Sequence, residues 1–198
     1  MIEWLNFFSL IISTLLFSYF YILSIQPVKR EEKRGERAWK ESMSLRSLSI
    51  GFEFVKTLNM ILWTWSPIPI LNWKIHSNYL IGFIIGFVIG LPCAFILLKG
   101  VKDAGSETIQ PSKETLMYPG IYKYIRHPQS TGEFPLFIAL AFSINSWFLV
   151  IVMAAHMIIY LPIMINFEEK DLIRRFGDDY QDYQKRTGAI FPKIRKKE

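Results

Sequence analysis

Residues Phe134–Phe167 read FPLFIALAFSINSWFLVIVMAAHMIIYLPIMINF, 34 residues without one Asp, Glu, Lys or Arg. A helix of a water-soluble domain keeps one polar face, and this stretch offers none. At about 1.5 Å of rise per residue it is too long for a single crossing of a hydrocarbon core of about 30 Å. It is also too short for two full crossings joined by a loop. Asn145-Ser146, near its middle, supplies a turn. A tight helical hairpin with one arm short or tilted satisfies both limits.

Three more charge-free runs lie upstream: Trp4–Ile25, Thr57–Trp73 and Tyr79–Leu98. Together with the hairpin they take 93 of the 198 residues, although the composition as a whole is near average at 51% hydrophobic and 20% charged. The charges are segregated, which excludes a soluble globule and a disordered chain alike. A single cysteine, Cys93, sits inside an apolar run and excludes a disulfide framework. Trp4–Ile25 reads as a true span. It has no basic n-region, its apolar part is too long for a signal peptide, and Gln26-Pro27 is no small-residue cleavage site. Ser47–Leu71 is less clean: Glu53 and Lys56 are spaced to pair on one helix face, and both are expected to snorkel to the interface. Gly82, Gly86 and Gly90 form a stripe suited to close helix packing.

Lys and Arg number 0 before the first run, 7 in Gln26–Arg46, 1 in Asn72–Asn78, 5 in Lys99–Glu133, 0 at the Asn145 turn and 9 from Asn166 onward. That alternation predicts an all-α integral membrane bundle of about five transmembrane helices, the N-terminus outside and the C-terminus cytosolic. The organisation divides into 1–98, three transmembrane helices with a basic linker at 27–46, and 99–198, which holds the hairpin 134–167 and an interfacial helix 168–186. The net charge of +6 is an orientation signal and an attraction to the lipid bilayer's anionic headgroups. No nucleic acid partner is expected, because the basic residues share no soluble face.

Two cytosolic segments hold the candidate chemistry. One ends in Pro119-Gly120-Ile121-Tyr122-Lys123-Tyr124-Ile125-Arg126-His127-Pro128-Gln129-Ser130-Thr131-Gly132-Glu133. Pro128 keeps His127 out of helical angles, so the Arg126–His127 pair marks a break in regular structure at the membrane boundary. The other is Asn166–Gly188, in which Leu172, Phe176, Tyr180 and Tyr183 recur with helical spacing, as in a helix lying on the membrane. There Asp171 is spaced to pair with Arg174 or Arg175. Glu168 and Glu169 have no Lys or Arg at three or four residues and so call for a cation from elsewhere. The three histidines and the cysteine have unrelated spacings, and no metal site is expected. His156 is read as satisfying an interhelical hydrogen bond.

The succession GIYKYIRHPxxxG, charge-free hairpin, EExxLIxxFGxxYxxYxxRTG and terminal FPK resembles the isoprenylcysteine carboxyl methyltransferase family, and phospholipid methyltransferases share much of the pattern. The likeness covers roughly Lys99–Lys193. It implies a five-helix membrane bundle using S-adenosyl-L-methionine, with a lipophilic small-molecule acceptor arriving sideways from the bilayer. Carried over by position, the cofactor pocket takes Glu107, Glu114, Thr115, Leu116, Met117, Tyr122, His127, Pro128, Gln129, Ser130 and Glu168. The catalytic group by the same likeness is Arg126, His127, Glu168 and Glu169, with His127 or a glutamate as base and His127 or Arg126 meeting the cofactor carboxylate. Three positions depart from the family: Glu114 stands in place of His, Ser130 in place of Tyr, and Met164 in place of an Arg four residues before the glutamate. The last weakens the case for a carboxylate acceptor and favours an amine, thiol or hydroxyl. A sterol-type NADPH-dependent reductase, whose C-terminal region carries a related stretch, and a non-catalytic membrane scaffold are the competing readings.

Overall fold

The computed structural model describes residues 1–114 and 119–193, and the described chain is all-helical. Seven α-helices follow one another: α1 Ile2–Ser24, α2 Pro27–Arg34, α3 Arg37–Leu62, α4 Tyr79–Ala104, α5 Pro128–Ser143, α6 Trp147–Phe176 and α7 Asp178–Arg186. Short 3-10 turns at Pro69–Leu71, Gly105–Thr108 and Gly120–Lys123 join them. Three helical stretches are long and apolar enough to cross a membrane: Ile2–Ser24, Tyr79–Thr108 and Trp147–Phe176. Their outer faces expose Leu5, Phe8, Leu15, Phe83, Phe87, Leu91, Phe95 and Ile158. An apolar surface of that extent belongs against lipid.

The packing order follows the small and polar residues. α1 lies along α3, joined where Asn6 donates to the Asn59 carbonyl at 3.1 Å and Asn59 donates to Ser9 Oγ at 2.9 Å. α4 lies along α5 through the glycine stripe. A Cβ on Gly82 would stand 2.6 Å from the Phe142 carbonyl oxygen, and one on Gly132 2.6 Å from the Leu97 nitrogen. Neither contact is tolerable, so these glycines set the interhelical distance. Two apolar clusters fill the bundle, one around Leu10, Met60, Trp63, Leu149 and Met153 and one around Phe17, Phe134, Tyr160, Leu161 and Met164.

The chain reverses between α5 and α6 at Asn145, whose φ of 62° is left-handed. Asn tolerates that region better than most side chains. Its side chain also accepts from the His76 nitrogen at 3.1 Å and donates to the His76 carbonyl at 2.8 Å, tying the turn to the α3–α4 connection.

Several local expectations are corrected. α3 runs from Arg37 to Leu62, starting upstream of the Ser47–Leu71 stretch and ending before Pro67 and Pro69. Lys56 does not snorkel: it is 0% exposed inside the bundle. The helix expected over 168–186 is two elements. α6 runs through Glu168 and Glu169 to Phe176, Gly177 breaks it with φ 57°, and α7 starts at Asp178. Asp171 does not pair along its own helix. It accepts the backbone N–H groups of Val28 at 3.1 Å and Lys29 at 2.9 Å, capping α2 from across the fold.

Candidate functional site

The site forms where α5 begins. Pro128 occupies the first turn of α5, where its missing N–H is harmless, and His127 before it keeps a non-helical backbone at φ −120°, ψ 59°. The neighbouring backbone is held by the C-terminal segment. Arg126 N donates to the Gly188 carbonyl at 2.8 Å, and His127 N donates to the Ala189 carbonyl at 3.0 Å. The His127 carbonyl accepts from Thr131 N and Thr131 Oγ1. The imidazole therefore starts from a fixed backbone.

Both ring nitrogens face carboxylates: Nδ1 is 2.9 Å from Glu168 Oε2, and Nε2 is 3.0 Å from Glu169 Oε1. An ionised carboxylate only accepts hydrogen bonds, so both nitrogens donate and the ring is an imidazolium. Burial opposes that charge, but the hydrogen bonds and negative charges of Glu168 and Glu169 outweigh it and push the His127 pKa up to about 9. Arg126 adds Nε and NH2 contacts to Glu169 Oε1, each at 2.7 Å, and Gln184 donates to Glu169 Oε2 at 2.8 Å. Arg126 also reaches the carbonyls of Gln184 and Thr187. Glu169 is thus filled, and Arg126 acts as a clamp between α6 and the C-terminal segment.

Glu168 differs from its neighbour. Its Oε2 meets His127, and the residue lines a cleft. The cleft holds a cavity of about 90 Å³ and opens to solvent. Tyr122, Pro128, Gln129 and Ser130 line it too. Gln129 donates to Tyr122 Oη and Thr108 Oγ1, both at 3.1 Å, while Tyr122 donates to the Gly100 carbonyl at 3.3 Å. Burial pushes the Tyr122 phenol up, so it stays a neutral donor.

The opposite wall is basic. Arg46, from α3, donates to the carbonyls of Glu107 at 2.9 Å and Thr108 at 3.2 Å. Arg175, near the end of α6, lies 3.5 Å from Glu107 Oε2, its guanidinium 5.2 Å from the Trp39 ring centre and 4.6 Å from that of Phe176. Glu107 Oε1 accepts from Ser112 N at 2.8 Å. The Nε atoms of Arg46 and Arg175 are both buried without a hydrogen-bond partner. Two buried cationic donors of this kind suit an anionic ligand group.

The fold thus gathers Glu107, Tyr122, His127, Pro128, Gln129, Ser130 and Glu168 around one cleft. Glu114 is exposed and does not line it. Thr115, Leu116 and Met117 lie outside the described residues. Glu168 and Glu169, which lack a cation among their helical neighbours, find one in His127 and Arg126, more than forty residues away in sequence. His127 and Arg126 are consequently engaged by protein carboxylates and are not free to meet a ligand carboxylate. Tyr180 and Tyr183 line the cleft and do not face lipid. Arg46 and Arg175 line the cleft as well; in the sequence Arg175 reads only as a helical partner for Asp171, and a lone arginine in a mixed-charge segment such as Arg46 carries no signal of its own. Among the described residues no three His, Cys, Asp or Glu side chains form a metal-binding group.

The family model described as phospholipid methyltransferase matches residues 78–179, just over half the chain. Methanethiol S-methyltransferase 2 of Bradyrhizobium diazoefficiens is 25% identical over 94% of this chain and 74% of its own length. The methanethiol S-methyltransferase of Pseudomonas deceptionensis is 31% identical over 70% of this chain and 56% of its own, and that of Crocosphaera subtropica 29% over 71% and 58%. The chain spans little more than half the length of those last two relatives.

Proposed function

The chain belongs to the phospholipid methyltransferase family and is a methyltransferase, and on that premise we propose that it transfers a methyl group from S-adenosyl-L-methionine to a small lipophilic thiol at the cytosolic membrane face. The carrying observation is one cleft lined by Glu168 together with Arg46 and Arg175, an acid and two guanidinium groups at the same opening. S-adenosylmethionine presents a sulfonium, an ammonium and a carboxylate. Glu168 suits the cations, and Arg46 with Arg175 suits the carboxylate. Gln129, Ser130 and Tyr122 offer neutral partners for the adenosine moiety. The bound cofactor supplies an activated methyl group.

What the chain's own residues do is hold and exclude. His127 keeps Glu168 oriented toward the cleft and, as a saturated imidazolium, has no lone pair with which to take a proton. Tyr21, Ile25 and Pro27 add apolar surface to the cleft lining, which favours water exclusion once it is filled. Most of the rate enhancement of such a site comes from alignment and desolvation of two reactants.

The acceptor class rests on two supports. Met164, one turn below Glu168, is 0% exposed, and no cation stands at that position to fix an acceptor carboxylate. The relatives above are named for methanethiol, a small neutral thiol that partitions into apolar surroundings. In the bilayer we place α1, α3, α4, α5 and α6 as the five crossing helices and α7 on the cytosolic side, as the charge alternation requires. The test is incubation of detergent-purified protein with methanethiol and methyl-labelled S-adenosylmethionine. Labelled dimethyl sulfide is the expected product; transfer only to phospholipid headgroups would replace the thiol with an amine, and NADPH oxidation without methyl transfer would restore the reductase reading.

A further inference from the structure

The basic segment between α1 and the apolar part of α3 forms a second groove, separate from the cleft. Gly35, at φ 62°, turns the chain from α2 into α3. Arg30 and Arg34 stand one turn apart on α2, while Arg37, Lys40, Glu41, Ser44 and Leu45 share one face of α3, so the two rows meet. Glu41 Oε2 ties them together, lying 2.5 Å from Arg30 NH2 and 2.9 Å from Arg34 NH1. Arg30 also donates to Ser42 Oγ at 3.5 Å. The groove holds about 600 Å³, within the range of small-molecule sites.

Four cations meet one carboxylate in this groove, and that carboxylate is taken by Arg30 and Arg34. Among the described residues no carboxylate stands within ion-pair distance of Arg37 or Lys40, and both side chains are exposed. Such an excess attracts an anion, and the guanidinium fork matches phosphate oxygens. The surroundings say which anion. The groove follows directly on the end of α1, a helix apolar enough to span a membrane. On α3 the same face continues past Leu45 to Leu48 and Val55, 44% and 38% exposed. Lys40 and Glu41 precede Leu45 by about 6–8 Å of helix rise, and the headgroup layer of one leaflet is about 5–8 Å thick. With the leucines at acyl-chain depth, the cations stand at headgroup depth. A free phosphate would use only the upper half of this face, whereas a phospholipid uses all of it.

We propose that the α2–α3 groove binds an anionic phospholipid of the adjoining leaflet, its headgroup phosphate held by Arg37 and Lys40 and an acyl chain lying along Leu45 and Leu48. Basic pockets at a membrane surface select anionic headgroups in this way. The site rests on the placement of α1 and α3 as crossing helices and is independent of the methyl acceptor. Ser44, between the cations and the leucines, offers a hydroxyl to the glycerol region. The groove also adjoins the cofactor site through α2. Pro27, in its first turn, lines the cleft, and the cleft residue Asp171 accepts from Val28 N and Lys29 N. A lipid held against α2 thus anchors one edge of the cleft to the membrane surface.

The test uses the full chain, stripped of lipid in a neutral detergent and titrated in mixed micelles with dioleoylphosphatidylglycerol or dioleoylphosphatidylcholine. Retained lipid is counted by mass spectrometry after gel filtration. Saturable retention of about one phosphatidylglycerol per chain, with far less phosphatidylcholine, is expected. R37Q with K40Q should weaken that retention by about thirtyfold, at the usual worth of a basic side chain near an anionic headgroup, and leave the melting temperature unchanged because both residues are exposed. K123Q with K170Q removes the same charge from exposed positions elsewhere and should retain phosphatidylglycerol as wild type does. Equal losses in the two double variants would replace the site with diffuse attraction and overturn the proposal. Equal retention of the two lipids would do the same, and so would displacement of phosphatidylglycerol by millimolar inorganic phosphate, which marks a free-phosphate site. None of these readouts involves methyl transfer, so failure here leaves the thiol reading standing, and failure of the thiol reading leaves this site standing.

Discussion

Raising the pH from 6.5 to 9 should destabilise this protein through one residue. The His127 pKa stands at about 9 in the fold against 6.5 in an unstructured chain, because its imidazolium is held between Glu168 and Glu169. The folded state therefore keeps a proton that the unfolded chain releases over that interval. The stabilisation is complete below about pH 6.5, falls by about 1.4 kcal/mol per pH unit above it, and is gone past about 9. Two and a half units amount to about 3 kcal/mol. For a chain of this size that corresponds to a melting temperature lower by roughly 6–12 °C. The assay is thermal unfolding of the detergent-solubilised protein followed by tryptophan fluorescence across pH 6–9.5, for wild type and H127Q. H127Q should melt lower at pH 6.5 and show a flatter pH dependence, the two curves converging near pH 9. Parallel curves, or a wild type that gains stability as pH rises through that window, would refute the imidazolium bridge.

Two further perturbations test the frame that carries the site. G132V places a side chain where the Cys93 carbonyl and Leu97 nitrogen already stand within 2.6 Å of a Cβ, so α4 and α5 must separate. A loss of at least about 3 kcal/mol, read as a large drop in melting temperature or in folded yield, is expected. D171A removes the acceptor of two α2 N–H groups and should cost about 1–2 kcal/mol, with protease cleavage opening selectively between Gln26 and Glu36.

The membrane character was legible because it is a one-dimensional property. Charge-free runs need only counting, and the Gly82, Gly86, Gly90 stripe points to one helix face whatever lies opposite. The cleft residues of the RHP segment were legible through a family pattern, since His127 and Pro128 alone are too common to identify anything. Pairing between distant segments was not legible. Glu168 and Glu169 looked partnerless because the rule for helical neighbours reaches only four residues, whereas their cations come from the start of α5. Lys56 looked like an interfacial anchor because its depth depends on where α3 lies against α1 and α5, which spacing along α3 does not encode. Arg46 likewise gains its meaning only from Arg175, which α6 brings to the same cleft.

Binding of S-adenosylmethionine by calorimetry, to wild type and to a protein carrying R46M and R175M together, tests the central claim most directly. Saturable one-to-one binding to wild type, weakened by at least about tenfold when both carboxylate partners are removed, is predicted. A folded wild type that binds neither S-adenosylmethionine nor its demethylated product would contradict the account, as would a double variant that binds as tightly as wild type.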